Sequence, residues 1–535
     1  MITAVDYPII LGLYTLGYFF IISFSGPRRA LRSLAGAFPM GCCLWGASTL
    51  LTASLPLLPK DGYGFNLAAT ISITTLIAIF SFIISLNYNK LSRGSVLCFG
   101  IGFILLAASY WLFLQLNISI FTGDSLSHIH PQEGMATMRN ARGFNSTLAA
   151  LAGFAGQDRY FFPFHPIFTL SLLLLMGECI FHEVKSAAEN VRTALCAAIV
   201  GPLLLSSCFM TAVNAFFVNN HILVALLIIF ALSLLLESNR QETEKTSSLV
   251  SLGVVCVSFL NLLRLEGLFV AMVLLLVMLG GQGVNPSYRL RGFLLLAALT
   301  FPFQIFMIIN NSGKVNALHL ILLLIASLLL PVFFTLKRPY WVHRLQDQAD
   351  KLVFAGIVGG IILFCLTNYQ RISIRFGKVL HNTLDESYWG FLPQTLLVTT
   401  LALFALRFLF REEHKVKLRR HADVLLYFFI AGVLLIIFML NFHGSRLGWS
   451  DSQNRMLMHF LPVWIVWASI ETGLGLAGRR GGAPTADGLP ACCAPIGENT
   501  DRRTLAKKSQ PTQADQDRRV SIPLSNRPGE TKAPS

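Results

Sequence analysis

Long apolar runs separated by short polar or charged stretches repeat along this chain from about residue 7 to about residue 475. A helix needs roughly 20 mostly apolar residues to cross the hydrocarbon core of a bilayer. Reading for such runs predicts about fifteen, at 7–24, 38–57, 66–87, 95–117, 163–181, 193–213, 219–237, 247–263, 266–281, 290–310, 315–336, 352–368, 391–410, 422–441 and 457–475. The pair 247–263 and 266–281 is short and reads either as a hairpin or as one broken helix. The first run lacks a basic start and a small-residue cleavage site, so it reads as a retained span rather than a signal peptide.

The charges between the runs set an orientation. If the loop Ser25–Phe38, with Arg28, Arg29 and Arg32, is cytoplasmic, every second loop follows. About 30 of the Lys and Arg residues then lie inside and about 11 outside, the bias expected of cytoplasmic loops. The expectation is an all-α polytopic membrane protein with an outside N-terminus and a cytoplasmic C-terminus. The chain divides into N-terminal membrane helices (1–117), a membrane core (118–475) and a tail (476–535). The tail is rich in Gly, Pro, Ser, Thr and charge and has no apolar period, which predicts disorder. Its basic pairs Arg502–Arg503 and Lys507–Lys508 either touch anionic lipid or are simply solvated.

Composition sharpens this picture. Of 535 residues, 54% are hydrophobic and 13% charged, whereas a soluble domain carries roughly 25% charge. That excludes a soluble enzyme, a disordered protein and a disulfide scaffold. The net charge of +15 belongs to cytoplasmic loops and does not point to nucleic acid. The ten cysteines, including the adjacent pairs Cys42–Cys43 and Cys492–Cys493, match neither metal nor redox spacing and read as structural. No Walker A, G-x-G-x-x-G, HExxH or G-x-S-x-G motif is present. Charges within the runs are few, which weighs against an ion-coupled transporter.

Three outside connections are long or chemically loaded: 118–162, 368–390 and 441–456. Asp124 lies about one turn past the fourth run, with His128 four residues on. In restricted solvent Asp124 could act as a base; it could equally cap a juxtamembrane helix, and the D-x-x-x-H spacing also permits a divalent metal. Arg264 and Glu266 interrupt two apolar runs, and Arg455 precedes the last one. Two guanidinium groups at one face suit a lipid phosphate, although an interfacial Arg often only snorkels. Tyr160-Phe161-Phe162-Pro163-Phe164-His165-Pro166 is an aromatic entry to the fifth run, either an interfacial anchor or a platform for a sugar or isoprenoid chain. Asp385, Glu386, Tyr388, Trp389, Trp449 and Asp451 place carboxylates beside aromatics, a composition suited to carbohydrate hydroxyls.

Four segments resemble the GT-C superfamily of integral membrane glycosyltransferases, which includes the protein O-mannosyltransferases and the aminoarabinose transferases. TGDSLSHIHP resembles the acidic motif of its first outer loop, and YFFPFHPIFTLSLLLLMGE its aromatic–proline entry to a span. LNLLRLEGLFVAMVLLLV resembles its Arg-Pro-Glu-Gly turn, and SQNRMLMHFLPVWIVW its late Arg…Pro motif; the four occur in the family's order. The turn here reads RLEG without Pro, and NNH stands near 214–221 where the family often has a second acidic motif. The resemblance implies a GT-C-like core that takes a polyprenyl-phosphate sugar at the outer face. It implies Asp124 as general base, Arg264 and Arg455 on the lipid phosphate, and His128, Tyr160, His165 and Glu266 lining the site. It fixes no cofactor, and a divalent metal is possible. The partners implied are the lipid donor, membrane lipids and a lipid, glycan or protein acceptor, in a bacterial inner membrane with the site facing the periplasm. A polysaccharide ligase or polymerase and a lipid-linked sugar flippase are the alternatives.

Overall fold

The computed structural model describes residues 6–25, 30–55, 57–59, 65–87, 91–120, 163–188, 190–217, 219–238, 245–264, 266–279, 286–310, 349–409, 416–439, 447–448 and 452–480, with isolated positions between 321 and 329. The described chain is helical almost throughout. In order the helices are α1 Asp6–Ser25, α2 Ala30–Ser54, α3 Leu67–Asn87, α4 Arg93–Leu116, α5 Phe164–Ala188, α6 Val191–Ser206, α7 Phe209–Phe216, α8 His221–Ser238 and α9 Lys245–Ser258. They continue with α10 Leu260–Leu263, α11 Gly267–Leu279, α12 Pro286–Asn310, α13 Ala349–Thr367, α14 Tyr369–Leu384, α15 Glu386–Trp389, α16 Leu392–Leu409, α17 Val416–Met439 and α18 Ser452–Arg480.

Eight of these are long and apolar enough to cross a membrane, or nine if α6 and α7, bent by 74° at their break, form one span. The protein is therefore an all-α membrane protein. Each apolar run foreseen in the sequence overlaps a helix except 315–336, which lies mostly outside the described residues. Helix is the natural outcome, because a spanning segment must satisfy every backbone N–H and C=O internally. Local chemistry sets several ends. Ser92 and Ser95 form a capping box on α4, and Asn117 closes that helix in the left-handed region at φ 48°. The Asn190 side chain accepts from the amides of Arg192 and Thr193 at the start of α6.

The bundle has a centre and a periphery. α8 is buried over nearly its whole length and packs against α5, α9 and α18. α18 in turn packs against α5, α6, α16 and α17. α3 and α4 are only 17% buried along their apolar windows and expose residues such as Phe80, Ile83, Leu97 and Ile104. An outward surface this apolar belongs against lipid. α1 and α2 meet backbone to backbone: a Cβ on Gly17 would strike the Ala37 carbonyl, and one on Gly41 the Leu13 carbonyl. Small residues permit this approach where no water drives helices together.

Two arginine clamps tie helices together. Arg32, expected in a loop, lies instead in the first turn of α2 and is 1% exposed. Its Nη1 donates to Glu237 on α8 at 2.6 Å. Its Nε and Nη2 reach Glu178 on α5 at 3.4 Å, and His182 Nε2 lies 3.4 Å from the same carboxylate. Arg407 on α16 bridges α17 and α18, with Nη1 2.7 Å from Asp423 and Nη2 2.7 Å from Glu471. The Arg407 guanidinium also stands over the rings of Phe404 and Trp467.

Removing one partner from a buried ion pair costs about 3–5 kcal/mol because the other charge stays behind. Arg32→Met should therefore melt well below wild type in the same detergent, with loss of contact between the α1–α2 pair and the core. An unchanged melting temperature would show that the Arg32 clamp contributes nothing.

Candidate functional site

Polar groups gather in the interior around the α7–α8 connection, the α10–α11 turn and the start of α18. α8 opens on Asn219-Asn220-His221, all buried, with the His221 amide donating to Asn219 Oδ1 at 2.7 Å. From α18, His459 brings its Nε2 to 2.8 Å from His221 Nδ1, and the two rings stack with centroids 4.9 Å apart. One imidazole must donate and the other accept, so the pair holds a defined tautomer arrangement.

The α10–α11 turn supplies the charge. Leu260–Leu263 forms a single helical turn, and Arg264 then swings into extended backbone at φ −146°, ψ 145°. Gly267 is required just beyond it, since a Cβ there would collide with the Leu260 carbonyl. Arg264 Nε pairs with Glu266 Oε1 at 2.8 Å, both side chains being partly exposed. Among the described residues no protein group takes the remaining guanidinium nitrogens. Asn220 Nδ2 donates to the Leu263 carbonyl at 3.3 Å, and Gln304 on α12 donates to Asn261 Oδ1.

Arg455 lies one turn before His459 on α18. It is 4% exposed, and its guanidinium stands 4.8 Å over the Phe217 ring. Its neighbour Asn454 accepts from the indole N–H of Trp389. The Trp389 carbonyl meets Cys208 Sγ at 3.3 Å. Trp389 is wholly buried, so this aromatic fastens α15 to α18 and does not form an open stacking platform. Asp385 caps α15 by accepting from the Ser387 amide at 2.9 Å. That bond holds its carboxyl below the ordinary carboxylate range, so the cap persists near neutrality and is lost only as pH falls into acid.

Several carboxamides here are incompletely matched. Among the described residues Asn261 Nδ2, Gln304 Oε1, Asn219 Nδ2, Asn220 Oδ1 and Asn214 Oδ1 have no hydrogen-bond partner in the protein. A buried polar atom left unmatched costs about 1–3 kcal/mol. Two of these atoms donate and three accept. Hydroxyls, which do both, are the groups such a layer can bind.

Of the residues singled out from sequence, Arg264 and Glu266 form one ion pair, and Arg455 joins them through the His459 helix. His165 lies in the first turn of α5, 2% exposed and edge-on to Phe168. Asp124, His128 and Tyr160 lie outside the described residues. The last described residue before them, Ile120, pairs with the α7–α8 connection: its amide donates to the Phe216 carbonyl at 2.9 Å, next to the ring under Arg455. Among the described residues no three His, Cys, Asp or Glu side chains come together as a metal site. Sequence reasoning missed His221, His459, Asn261 and Gln304. Their only signal was a polar residue inside an apolar run. The chain matches no family model, no curated protein and no solved structure.

Replacing His459 with Phe keeps the stacked shape and removes the nitrogen–nitrogen hydrogen bond. The expected cost is about 1–3 kcal/mol in thermal unfolding. His221→Phe should cost a similar amount, and the double variant less than the two combined. Strictly additive losses would show that the two rings do not interact.

Proposed function

We propose that this protein is a membrane glycosyltransferase of the GT-C type. It moves a sugar from a polyprenyl-phosphate carrier to an acceptor hydroxyl on a lipid, glycan or protein. The observation that carries this reading is the gathering of Arg264, Arg455, the His221–His459 pair and unmatched buried carboxamides in one polar region of an otherwise apolar bundle. A transferase with a lipid donor needs two things there: cations for a phosphate leaving group and neutral hydrogen-bonding groups for a sugar. The site offers both, and the absence of nucleotide-binding motifs agrees with a lipid carrier.

In this mechanism the phosphate of the donor sits against Arg264 and Arg455. Glu266 holds Arg264 in place through its Nε and leaves the outer guanidinium nitrogens for the phosphate. Asp124 takes the proton from the acceptor hydroxyl as its oxygen attacks the anomeric carbon. The bond from that carbon to the phosphate oxygen breaks, and the departing polyprenyl phosphate carries its charge onto the two arginines. His128, Tyr160 and His165 line the acceptor side. Asp124 follows Ile120 by four residues, and four residues of chain reach at most about 14 Å. That short reach from the isolated bridge between Ile120 and Phe217 is compatible with a base working beside Arg455.

The same reading sets the protein in a bacterial inner membrane, with about fifteen spans, the N-terminus outside and the site facing the periplasm. The asymmetry of Lys and Arg between alternate loops supports this orientation.

The test is sugar release by protein reconstituted in lipid, using a panel of polyprenyl-phosphate sugars. Asp124→Asn should lower kcat by about 10²–10⁴-fold, the usual contribution of a positioned base, while donor binding persists. Arg264→Gln and Arg455→Gln should each weaken binding of polyprenyl phosphate itself and lower kcat. Equal turnover in wild type and Asp124→Asn would remove that residue from the mechanism and favour a ligase or a flippase.

A further inference from the structure

The first turn of α8 directs its polar side chains at other helices rather than at its own backbone. Asn220 stands at the N-cap: its carbonyl accepts from the Val224 amide at 2.9 Å. An N-cap Asn ordinarily turns its side-chain oxygen onto the amides of its own first turn. Here Asn219 Oδ1 takes the His221 amide. Asn220 is buried and sends its Nδ2 across to the Leu263 carbonyl at the end of α10, while its Oδ1 has no partner among the described residues. His221 places its Nδ1 against His459 of α18. Beyond these two the helix is apolar from Ile222 to Leu232 and buried throughout. Apolar burial along that stretch, not the two polar contacts, holds most of α8 in the bundle.

Both contacts land beside an arginine. Leu263 ends α10, and a helix end leaves its last carbonyls without a partner in the helix; Asn220 supplies the donor. The next residue is Arg264. Its amide donates to the Leu260 carbonyl at 3.0 Å, and its own carbonyl accepts from the Gly267 amide at 3.0 Å. Because the peptide is planar, holding the Leu263 carbonyl also orients the Arg264 nitrogen, and so the direction in which that side chain leaves the backbone. His459 lies one turn after Arg455 on α18, on the same helix face. The Arg455 guanidinium stands over Phe217, four residues before His221. Asn220 and His221 are consecutive, so both arginines are referred to one short stretch of backbone.

We propose that Asn220 and His221 are positioning residues that set Arg264 and Arg455 relative to each other, so that the two guanidinium groups meet one phosphate together. Asn220 acts on Arg264 through the Leu263–Arg264 peptide, and His221 acts on Arg455 through His459. The inference rests on the reading that these arginines take the phosphate of a lipid carrier. Neutral side chains suit the task. A carboxylate at position 220 would pair with an arginine and compete with the phosphate, whereas an amide holds the backbone carbonyl and leaves the guanidinium charge to the ligand. If Asn220 only filled space, an apolar residue of the same volume would serve as well; as a positioning residue it cannot be replaced in this way without loss of affinity.

Binding of polyprenyl phosphate to the full chain in nanodiscs tests this. Asn220→Leu keeps the volume and removes the donor; it should raise Kd about ten-fold, the effect of about one hydrogen bond. A purely structural loss would lower the fraction of protein that binds and leave the affinity of the rest unchanged. The double variant N220L/R264Q should bind no more weakly than R264Q alone, and H221F/R455Q no more weakly than R455Q, because each positioning residue acts through its arginine. Without ligand, hydrogen exchange of residues 260–270 should rise about ten-fold in N220L while α8 from Ile222 onward stays protected. Should N220L fail to fold, H221F, which keeps the ring, carries the same test through Arg455. Additive losses in the double variants, or unchanged exchange of the turn in N220L, would overturn the proposal. Wild type that binds no polyprenyl phosphate would overturn the reading of the site and this inference together. Wild type that binds it, with R264Q weakened and N220L not, would overturn the inference alone.

Discussion

An arginine held among apolar helices has no water to turn to, and the packing of this bundle depends on how that demand is met. Arg32 and Arg407 each satisfy it with two carboxylates drawn from two other helices. Each clamp therefore fixes three helices at once: α2, α5 and α8 in one, α16, α17 and α18 in the other. The helix contacts follow the same grouping, with α5 packed against α2 and α8, and α18 against α16 and α17; α5 and α8 also pack against α18 and join the two groups. Apolar packing alone gives little directional preference between helices surrounded by lipid. The clamps supply that direction, since a guanidinium fork meets its carboxylates in few geometries.

The candidate site obeys the opposite rule. At the clamps each charge meets its counterpart; in the layer around His221 and His459, polar atoms outnumber the protein partners available to them. Hydroxyl side chains elsewhere in the bundle avoid this cost by bonding back to their own helix, as Ser48 and Thr49 do to the carbonyls of Leu44 and Trp45. Asn261 and Gln304 bond to each other and still leave one amide atom apiece unmatched. Such a layer is costly as structure and useful as a receptor. It offers donors and acceptors already fixed in place, so little ordering would remain for the sugar ligand proposed above.

Charge and amide work together there. Arg264 is steadied by Glu266 but keeps part of its guanidinium uncommitted, and Arg455 lies against an aromatic face. The polar site and α14 are linked through α15, where Trp389 holds Asn454.

The apolar runs determined the helices, because a segment that crosses lipid must close its own hydrogen bonds and so folds on local information. The sequence also marked Arg264, Glu266 and Arg455, since a charge that interrupts apolar residues is visible without a partner. It did not reveal where Arg32 would go: its partners are 146 and 205 residues away, and nothing in the spacing foretells them. The same holds for His221 and His459, 238 residues apart, which as single polar residues in apolar helices look like ordinary core positions. Residues 368–390 read as a connection because Arg371, Arg375 and Lys378 leave no apolar run long enough to span. Pairing of distant charges, the imidazole contact and the choice of which amides stay unmatched were decided by tertiary packing, for these are properties of which helices become neighbours.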